Sequence, residues 1–271
     1  MTERLSLIAG SGALVEEVVA AARGRGYELQ VLSPNRALRG IPSVAFRLSD
    51  PQSVVNAIRE FGATIVAMAG GVSLGDIARE GLARFLGAPS ATTLGDGGLS
   101  VLALRLAEMT GARLVGVHEI APHLLAPEGL IGGPAPDDAI IAEATFALGL
   151  ARRAGTLDLG QAMVTAGRRA IAAEDIAGTD ALLKRIQTYR AFGMVGGGKA
   201  SLILAKAAKP TQPAFADLPA IGPVTVAKSK RAGVRVIVVQ AGATILIQRG
   251  KLAEAADAAK ITVIGLPARD E

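Results

Sequence analysis

Apolar positions in the first 70 residues follow a strand-like period and then a helical one. Leu5–Ala9 is a short apolar run, and the chain turns at Gly10-Ser11-Gly12. The next apolar residues recur at the spacing of one helical face: Leu14, Val15, Val18, Val19 and Ala22. Thr64–Ala69 is continuously apolar and ends at Gly70-Gly71, which is typical of a central strand in a parallel sheet. Strands and helices are therefore expected to alternate here.

The other elements predicted in this part of the chain fit the same alternation. Leu29–Leu32 predicts the second strand. Asp50-Pro51 predicts a helix start, because a carboxylate can accept from free helical N–H groups and proline suits the first helical position. Apolar spacing further predicts a helix over Leu99–Met109 and a strand over Val115–Ile120. This pattern predicts a doubly wound, Rossmann-like α/β domain over residues 1–130.

A run rich in proline and glycine, Ala126–Asp138, interrupts the alternation and predicts a linker. Residues 131–271 are expected to form a carboxy-terminal α+β domain that binds ligand and carries catalysis. Its predicted regular elements are a long helix over Asp138–Arg153, a helix over Leu252–Lys260 and a last strand over Ile261–Leu266. Two hairpins are also predicted, one joining Met163–Ala166 to Ala170–Ala173 and one joining Val236–Gln240 to Thr244–Gln248.

Composition removes several kinds of active site. The 271 residues include no cysteine, which excludes disulfides, thiolate metal sites and a cysteine nucleophile. The two histidines, His118 and His123, are too few for a multi-histidine metal centre. Catalysis would have to use Asp, Glu, Lys, Ser, Thr or backbone groups.

The net charge of +5 gives only a weak indication of a partner. Basic residues are scattered and aromatic residues for stacking on bases are scarce, so nucleic acid is not expected. A solvated surface with a mild basic bias is the plainer interpretation, and an anionic small molecule is the alternative. Neither a signal peptide nor a membrane-spanning apolar run is visible, so a soluble, cytoplasmic protein is expected.

Three glycine-containing loops are expected at one edge of the first predicted sheet. Gly10-Ser11-Gly12 stands between a strand and a helix, where backbone N–H groups can bind an anion, but a bare turn explains it equally well. Val15 stands where a complete dinucleotide fingerprint would have its third glycine. Ser73 and Asp96 follow at loops expected at the same edge, where ligands gather in open α/β sheets.

The second half offers carboxylates and lysines. Thr179 and Asp180 precede a helical pattern, and helix capping alone would explain them. Lys206 and Lys209 flank a short turn, either as a solvated pair or as phosphate contacts, and Asp217 lies in a stiff Pro/Gly loop that is either a structural corner or a preorganised site. Carboxylates with lysines suit a Mg²⁺-assisted reaction at phosphate.

Short motifs along the chain resemble one family. They are Leu7-Ile8-Ala9-Gly10-Ser11-Gly12-Ala13-Leu14, Leu157-Asp158-Leu159-Gly160-Gln161, Gly178-Thr179-Asp180-Ala181-Leu182-Leu183, Lys206-Ala-Ala-Lys209-Pro210-Thr-Gln212 and Asp217-Leu218-Pro219-Ala220-Ile221-Gly222. In this order and spacing, the chain resembles the UDP-2,3-diacylglucosamine pyrophosphatases of lipid A synthesis (the LpxI type) from about residue 5 to residue 266.

The resemblance implies a substrate, a cofactor and a set of site residues. The implied reaction is Mg²⁺-dependent cleavage of UDP-2,3-diacylglucosamine, held between two domains, to UMP and 2,3-diacylglucosamine 1-phosphate. A homodimer and at most peripheral contact with the inner membrane are also implied. Asp180 and Asp217 are the implied catalytic residues and metal ligands. The implied substrate-binding residues are Gly10, Ser11, Gly12, Ser73, Asp96, Thr179, Lys206, Lys209, Gln212 and Thr225.

Several positions depart from the family pattern. Val224 stands where the family continues its Asp-Leu-Pro motif with an aspartate, and Ala177 replaces a glutamate. Gly97 replaces an aspartate, and Leu74-Gly75 replaces an Arg-Pro pair. Because valine neither binds Mg²⁺ nor takes a proton, two alternatives stay open besides the pyrophosphatase. One is an impaired paralogue that binds a nucleotide-linked or phosphorylated ligand as a sensor or scaffold, and the other is a sugar-nucleotide or dinucleotide enzyme.

Overall fold

The computed structural model describes residues 2–34, 38–47, 50–71, 76–85, 87, 97–198, 200–210 and 218–268. Side chains are not described for residues 76–79, 97–100 and 102. The chain forms two compact units, Met1–His123 and Leu124–Thr211 with Leu218–Glu271. Among the described residues, no helix is both long enough and apolar enough to cross a membrane.

The first unit alternates strands with helices, as predicted. Its strands are β1 Arg4–Ala9, β2 Glu28–Pro34, β3 Val44–Phe46, β4 Ile65–Ala69 and β5 Arg113–Val115. Its helices are α1 Ala13–Gly24, α2 Pro51–Phe61, α3 Asp76–Phe85, α4 Gly97–Thr110 and α5 Val117–Ile120. The strands form one parallel sheet in the order β3-β2-β1-β4-β5.

Local sequence accounts for where the helices of this unit begin and end. The Asp50 carboxylate accepts from the Ser53 N–H at 3.4 Å and Pro51 occupies the first turn of α2. Gly62 ends α2 in the left-handed region. Buried side chains of α2 pack with Leu32 and Val66 on one face of the sheet, while α1 lies against β2, β4 and α5. Helices on both faces confirm the predicted α/β packing.

One predicted strand of the first unit is wrong at every residue except its first, Val115. Instead of a strand over Val115–Ile120, β5 ends at Val115 and the short helix α5 follows. The Glu119 carboxylate accepts from the Gly116 N–H at 3.0 Å, which stabilises the start of that helix. Two elements, β3 and α3, were not predicted.

The second unit contains a six-stranded mixed sheet. Its strands are β6 Gly129–Gly132, β7 Ala162–Ala166, β8 Arg169–Ala173, β9 Leu202–Lys206, β11 Val234–Gln240 and β13 Thr262–Leu266. They lie in the order β6-β13-β11-β9-β7-β8. Two short strands, β10 Ala220–Ile221 and β12 Ile245–Leu246, pair separately. The helices are α6 Asp138–Thr156, α7 Gly178–Ala191, α8 Pro223–Ala232 and α9 Arg249–Ala259.

The antiparallel pairing expected of an α+β domain occurs only towards the edges of this sheet. β9, β11 and β13 are parallel, and α8 and α9 connect β9 to β11 and β11 to β13. Antiparallel pairing occurs at β7–β8, β7–β9 and β6–β13. The hairpin around Gly167 is confirmed. The predicted hairpin between Val236–Gln240 and Thr244–Gln248 is wrong, because β11 already has a neighbour on each side and Ile245 pairs with Ala220 instead.

The proline- and glycine-rich run is not wholly a linker. Its residues Gly129–Gly132 form β6, which pairs with the last strand, β13. No described strand belongs to both large sheets: β1 to β5 precede the run, and the six-stranded sheet uses β6 and later strands. The domain boundary between residues 130 and 131 stays a prediction.

The core of the second unit consists of small aliphatic side chains on both faces of its sheet. Leu202 and Leu204 of β9 face a cluster that includes Leu182, Leu183 and Ile186 of α7. The alternate residues Ile203 and Ala205 face the alanine side of α6. Short side chains allow α6 to approach the sheet closely. The end of β9 is thereby fixed between two packed layers.

Candidate phosphate-binding site

The Gly10–Gly12 loop of the first unit is joined to the loop after β4. Ser11 N–H donates to the Gly71 carbonyl at 2.9 Å, and Gly71 N–H donates to the Ser11 carbonyl at 2.9 Å. The Ser11 hydroxyl also donates to the Gly71 carbonyl, at 3.2 Å. Gly10 N–H donates to Ala69 at 2.8 Å. The N–H groups of Gly10 and Ser11, which were expected to bind an anion, therefore donate to backbone carbonyls of the protein.

The start of α1 keeps the capacity to bind an anion. Gly12 caps this helix with φ 105° and ψ 164° and has no side chain to accept from the first-turn N–H groups. A helix N-terminus of this kind carries partial positive charge. The loop therefore acts both as a structural joint and as the entry to α1, so the two interpretations of Gly10–Gly12 do not exclude each other.

Gly70 makes the joint between the two loops possible. Its φ is 83°, and a Cβ atom there would lie 2.7 Å from the Ser11 carbonyl oxygen and 2.7 Å from Val15 Cγ2. Gly70→Ala is expected to lower the free energy of unfolding by about 2–4 kcal/mol through left-handed strain and overpacking. Urea unfolding would measure this. Gly111→Ala is the control, since Gly111 has φ 73° and open space around its Cβ position. Equal losses in the two variants would contradict the steric explanation.

Lys206 is buried at the carboxyl end of β9, with 7% of its surface exposed. Its ammonium donates to the Thr179 hydroxyl at 2.9 Å and to the Ala220 carbonyl at 3.3 Å. Thr179 in turn donates to Glu174 Oε1 at 2.5 Å. Two consecutive hydrogen bonds thus link the ammonium, the hydroxyl and the carboxylate. This arrangement brings together Lys206 and Thr179, two of the residues predicted to bind substrate.

Glu174, which was not predicted from the sequence, holds these hydrogen-bonded groups in place. Its second oxygen accepts from the Gln161 N–H at 2.8 Å. A Cβ atom at Gly160, whose φ is 105°, would lie 2.9 Å from Glu174 Cβ, so the loop before β7 approaches Glu174 closely because residue 160 is glycine. The available indication was an acidic residue directly after the predicted strand Ala170–Ala173, at the point where strands of a sheet present side chains to a ligand.

Lys209 is the second buried cation, with 3% of its side chain exposed. Its ammonium contacts Asp158 Oδ1 at 2.6 Å, and that carboxylate is 54% exposed. Its stem runs beside Gly155 of α6. The interpretation of Lys206 and Lys209 as a solvated pair is therefore wrong. Burial of two lysines is costly unless polar or anionic groups compensate it.

Thr179 and Asp180 do not cap α7, contrary to the capping alternative. The cap position is Ala177, and it makes no side-chain hydrogen bond. Asp180 instead forms an ion pair with Lys228 of α8. The 67% exposed Asp180 carboxylate thus joins the first turn of α7 to the side of α8.

The first turn of α8 places Val224 and Thr225. Pro223 begins the helix, and the Thr225 hydroxyl accepts from the Gly222 N–H at 3.3 Å. Thr225 therefore serves to cap the helix. Val224 is 63% exposed. An exposed valine at this position contributes little to the core and offers no group for chemistry.

The described residues do not build a magnesium site by themselves. Within them, no three acidic or histidine side chains converge. Asp180 and Asp158 are each paired with a lysine. The other candidate residues lie outside the described part of the chain: Ser73, Asp96, Gln212 and Asp217.

Comparison with known proteins assigns the family. A model of the LpxI N-terminal domain matches residues 4–124, and a model of the LpxI C-terminal domain matches residues 127–264. The chain belongs to the LpxI family. An LpxI relative from Caulobacter vibrioides, named UDP-2,3-diacylglucosamine pyrophosphatase, is 31% identical in an alignment of 272 positions that covers 97% of this chain and 97% of the relative.

Solved structures resemble this LpxI chain only weakly. UDP-glucose 4-epimerase from Thermus thermophilus in complex with NAD is 15% identical, with a TM-score of 0.29 over 97% of this chain and 86% of that one. An engineered D-amino acid dehydrogenase bound to NADP⁺ is 14% identical, with a TM-score of 0.28 over 78% of this chain and 63% of that one. Such scores support no statement about this chain.

Proposed function

We propose that this chain binds UDP-2,3-diacylglucosamine and hydrolyses its pyrophosphate to UMP and 2,3-diacylglucosamine 1-phosphate. The observation that carries the proposal is the 31% identity to the named pyrophosphatase over 97% of both chains. The local geometry agrees with a phosphate ligand. Two buried ammonium groups, on Lys206 and Lys209, lie within one short segment at the carboxyl end of a central strand.

Lys206 is the better placed of the two cations for a phosphate oxygen. An ammonium group has three N–H donors, and the described residues take two of them, at Thr179 and Ala220. The third can point to a ligand. Because Thr179 is held by Glu174, the ammonium is oriented before substrate arrives, and no ordering of a flexible side chain is needed.

The first unit is proposed to be Rossmann-like and to contribute the N-terminus of α1 to binding. The strand order β3-β2-β1-β4-β5 with helices on both faces supports this proposal. Mg²⁺ dependence and a homodimer are proposed as well, supported by the family resemblance alone. The described residues contain no cluster of three acidic or histidine side chains that could hold the metal.

A second candidate function is binding without appreciable turnover, and Val224 favours it. This residue is exposed at the start of α8. The family resemblance implies an aspartate at this position. Phosphate contacts from lysines and backbone N–H groups can persist without that carboxylate. Without that carboxylate, however, the chain loses a group that could orient water or a metal.

Incubation of the purified chain with UDP-2,3-diacylglucosamine tests both candidates. UMP release would be measured with Mg²⁺ and with EDTA, and binding would be measured by calorimetry in detergent. Slow, Mg²⁺-dependent UMP release supports the pyrophosphatase. Binding without UMP release supports the second candidate. Absence of binding would overturn both.

Lys209→Met is expected to weaken binding of the UDP-linked lipid about tenfold, which corresponds to one lost charge-assisted contact. Methionine keeps the apolar stem beside Gly155 and leaves the half-exposed Asp158 hydrated. Lys251→Met, an exposed change on α9, is the control with the same loss of charge. The same Kd in wild type and in both variants would contradict a role for Lys209 in binding.

A further inference from the structure

Two large apolar side chains are exposed directly after α7. Phe192 is 77% exposed and Met194 is 62% exposed. Both belong to the second unit, and neither contacts the candidate phosphate-binding site at the other end of α7. Covering these two side chains would remove apolar surface from water, which is favourable. Their exposure therefore costs free energy unless a partner covers them.

The backbone that carries Phe192 and Met194 is ordered by hydrogen bonds. Gly193 N–H donates to the Arg190 carbonyl at 3.0 Å, and Met194 N–H donates to the Tyr189 carbonyl at 2.9 Å. Gly193 has φ 70°, so this is the glycine-based cap that commonly ends a helix. Tyr189 before the turn and Val195 after it pack against the core. The two apolar side chains are therefore held outward by a fixed turn.

Cations surround this turn. The Arg190 guanidinium lies between two glycines: Cβ atoms at Gly196 and Gly233 would be 3.0 Å and 2.6 Å from its Nε. Gly233 ends α8, whose last turn carries Lys230 and Arg231. We call the set formed by Arg190, Phe192, Met194, Lys230 and Arg231 the cap surface. In the described part of the chain, no carboxylate forms an ion pair with the three cations of the cap surface.

The sequence around the cap surface is almost free of acids. From Ala181 to Ala253 the chain has twelve lysines and arginines and one acidic residue, Asp217. Cations at the ends of α7 and α8 also suit the negative end of each helix dipole, which explains Arg190, Lys230 and Arg231 singly. The dipole does not explain why Phe192 and Met194 are exposed among them.

We propose that the cap surface docks on a membrane that contains anionic phospholipid, with Phe192 and Met194 in the interfacial region and the three cations at the headgroups. Exposed apolar side chains rimmed by lysine and arginine match the two parts of such a membrane. A second copy of this surface would bring like charges together in a symmetric interface, which opposes self-association. Nucleic acid is disfavoured because Phe192 is the one aromatic side chain of the cap surface, and Met194 does not stack on bases.

The cap surface is separate from the candidate phosphate-binding site. Thr179 and Asp180 lie in the first turn of α7, whereas Arg190 lies in the last. The 14 residues of α7 span about 21 Å, so the cap surface and the phosphate site lie at opposite ends of this helix. The proposal therefore stands without the proposed enzymatic function.

The chain contains no tryptophan, so Phe192→Trp introduces a single fluorescent reporter at the cap surface. Its emission is expected to shift to shorter wavelength on addition of vesicles of phosphatidylcholine and phosphatidylglycerol, and brominated lipid should quench it. Vesicles of phosphatidylcholine alone should give a much weaker change. Absence of a shift with the anionic vesicles would overturn the proposal. A shift that depends on protein concentration without vesicles would also overturn it, in favour of self-association.

Vesicle sedimentation of variants of the otherwise unaltered chain separates the two parts of the proposal. Lys230→Glu with Arg231→Glu is expected to reduce binding to anionic vesicles at least about tenfold. Phe192→Ser with Met194→Ser is expected to reduce it by about the same factor. Arg249→Glu with Lys251→Glu makes the same change in net charge on α9, and Val44→Ser removes a valine that is 56% exposed in the first unit. Equal losses in these controls would overturn the assignment to the cap surface.

Discussion

Val224→Asp is expected to raise kcat for hydrolysis of UDP-2,3-diacylglucosamine at least about a hundredfold, the usual size of a positioned acid–base contribution. The valine is 63% exposed in the first turn of α8, so a carboxylate can replace it without entering the core. A negative charge near a helix N-terminus is also favourable to the fold. KM should change little, because the proposed lysine contacts to phosphate are untouched. The rate of UMP release is the measurement.

Two further variants show whether the carboxylate itself acts. Val224→Asn has nearly the same shape without the charge and is expected to leave kcat near the wild-type value. Ala177→Glu alone should do little, since Ala177 precedes α7 on another loop, but combined with Val224→Asp it should add to the rate. Fast hydrolysis by the wild-type chain would contradict this explanation and would assign the chemistry to other acids.

Lys206→Met is expected to weaken binding of the UDP-linked lipid by about 10- to 100-fold and to lower kcat/KM by at least as much. The ammonium is buried and held by Thr179 and Ala220, so its attraction for the proposed phosphate would be little screened by water. Calorimetry gives the affinity. Circular dichroism would show that the fold persists, since methionine fills a similar volume in the core.

Two further variants test whether the ammonium group of Lys206 itself is required. Lys206→Arg should not restore affinity, because a planar guanidinium cannot repeat the ammonium contacts in the same buried space. Lys228→Met is the matched control: its side chain is 29% exposed, and its partner Asp180 lies at the surface. If Lys228→Met impaired binding as strongly as Lys206→Met, a general loss of positive charge would explain both results.

The fold of the first unit was largely predictable because most of its strands and helices have an apolar period of their own. Val54 and Ile58 recur at helical spacing after a strong cap at Asp50, so α2 is specified locally. β3 is three residues long and mostly exposed, so it has no apolar pattern to detect. The false hairpin arose for a related reason. Ala241-Gly242 resembles a tight turn, but pairing partners of β11 are decided by segments far away in sequence.

The candidate site was only partly predictable. Lysines at positions 206 and 209 could be singled out, but their burial depends on α6 and α7 packing on both faces of β9. Glu174 was missed because its role depends on contacts with Gln161 and Thr179, 13 and 5 residues away, that no local pattern shows. Capping propensity gave the wrong role for Thr179, since the tertiary contact with Lys206 takes its hydroxyl.

The pairing of β6 with β13 has a consequence for the order of folding. β6 begins at Gly129, yet its one neighbour in the sheet is the strand Thr262–Leu266, close to the end of the chain. During synthesis the first unit can form its sheet while β6 is still unpaired, because contacts between residues distant in sequence form late. Removal of residues 262–271 would take away all of β13 and leave both β6 and β11 with an open edge. The six-stranded sheet is therefore expected to be completed only once Thr262–Leu266 is available, so that β6, its earliest strand, is among the last to be paired.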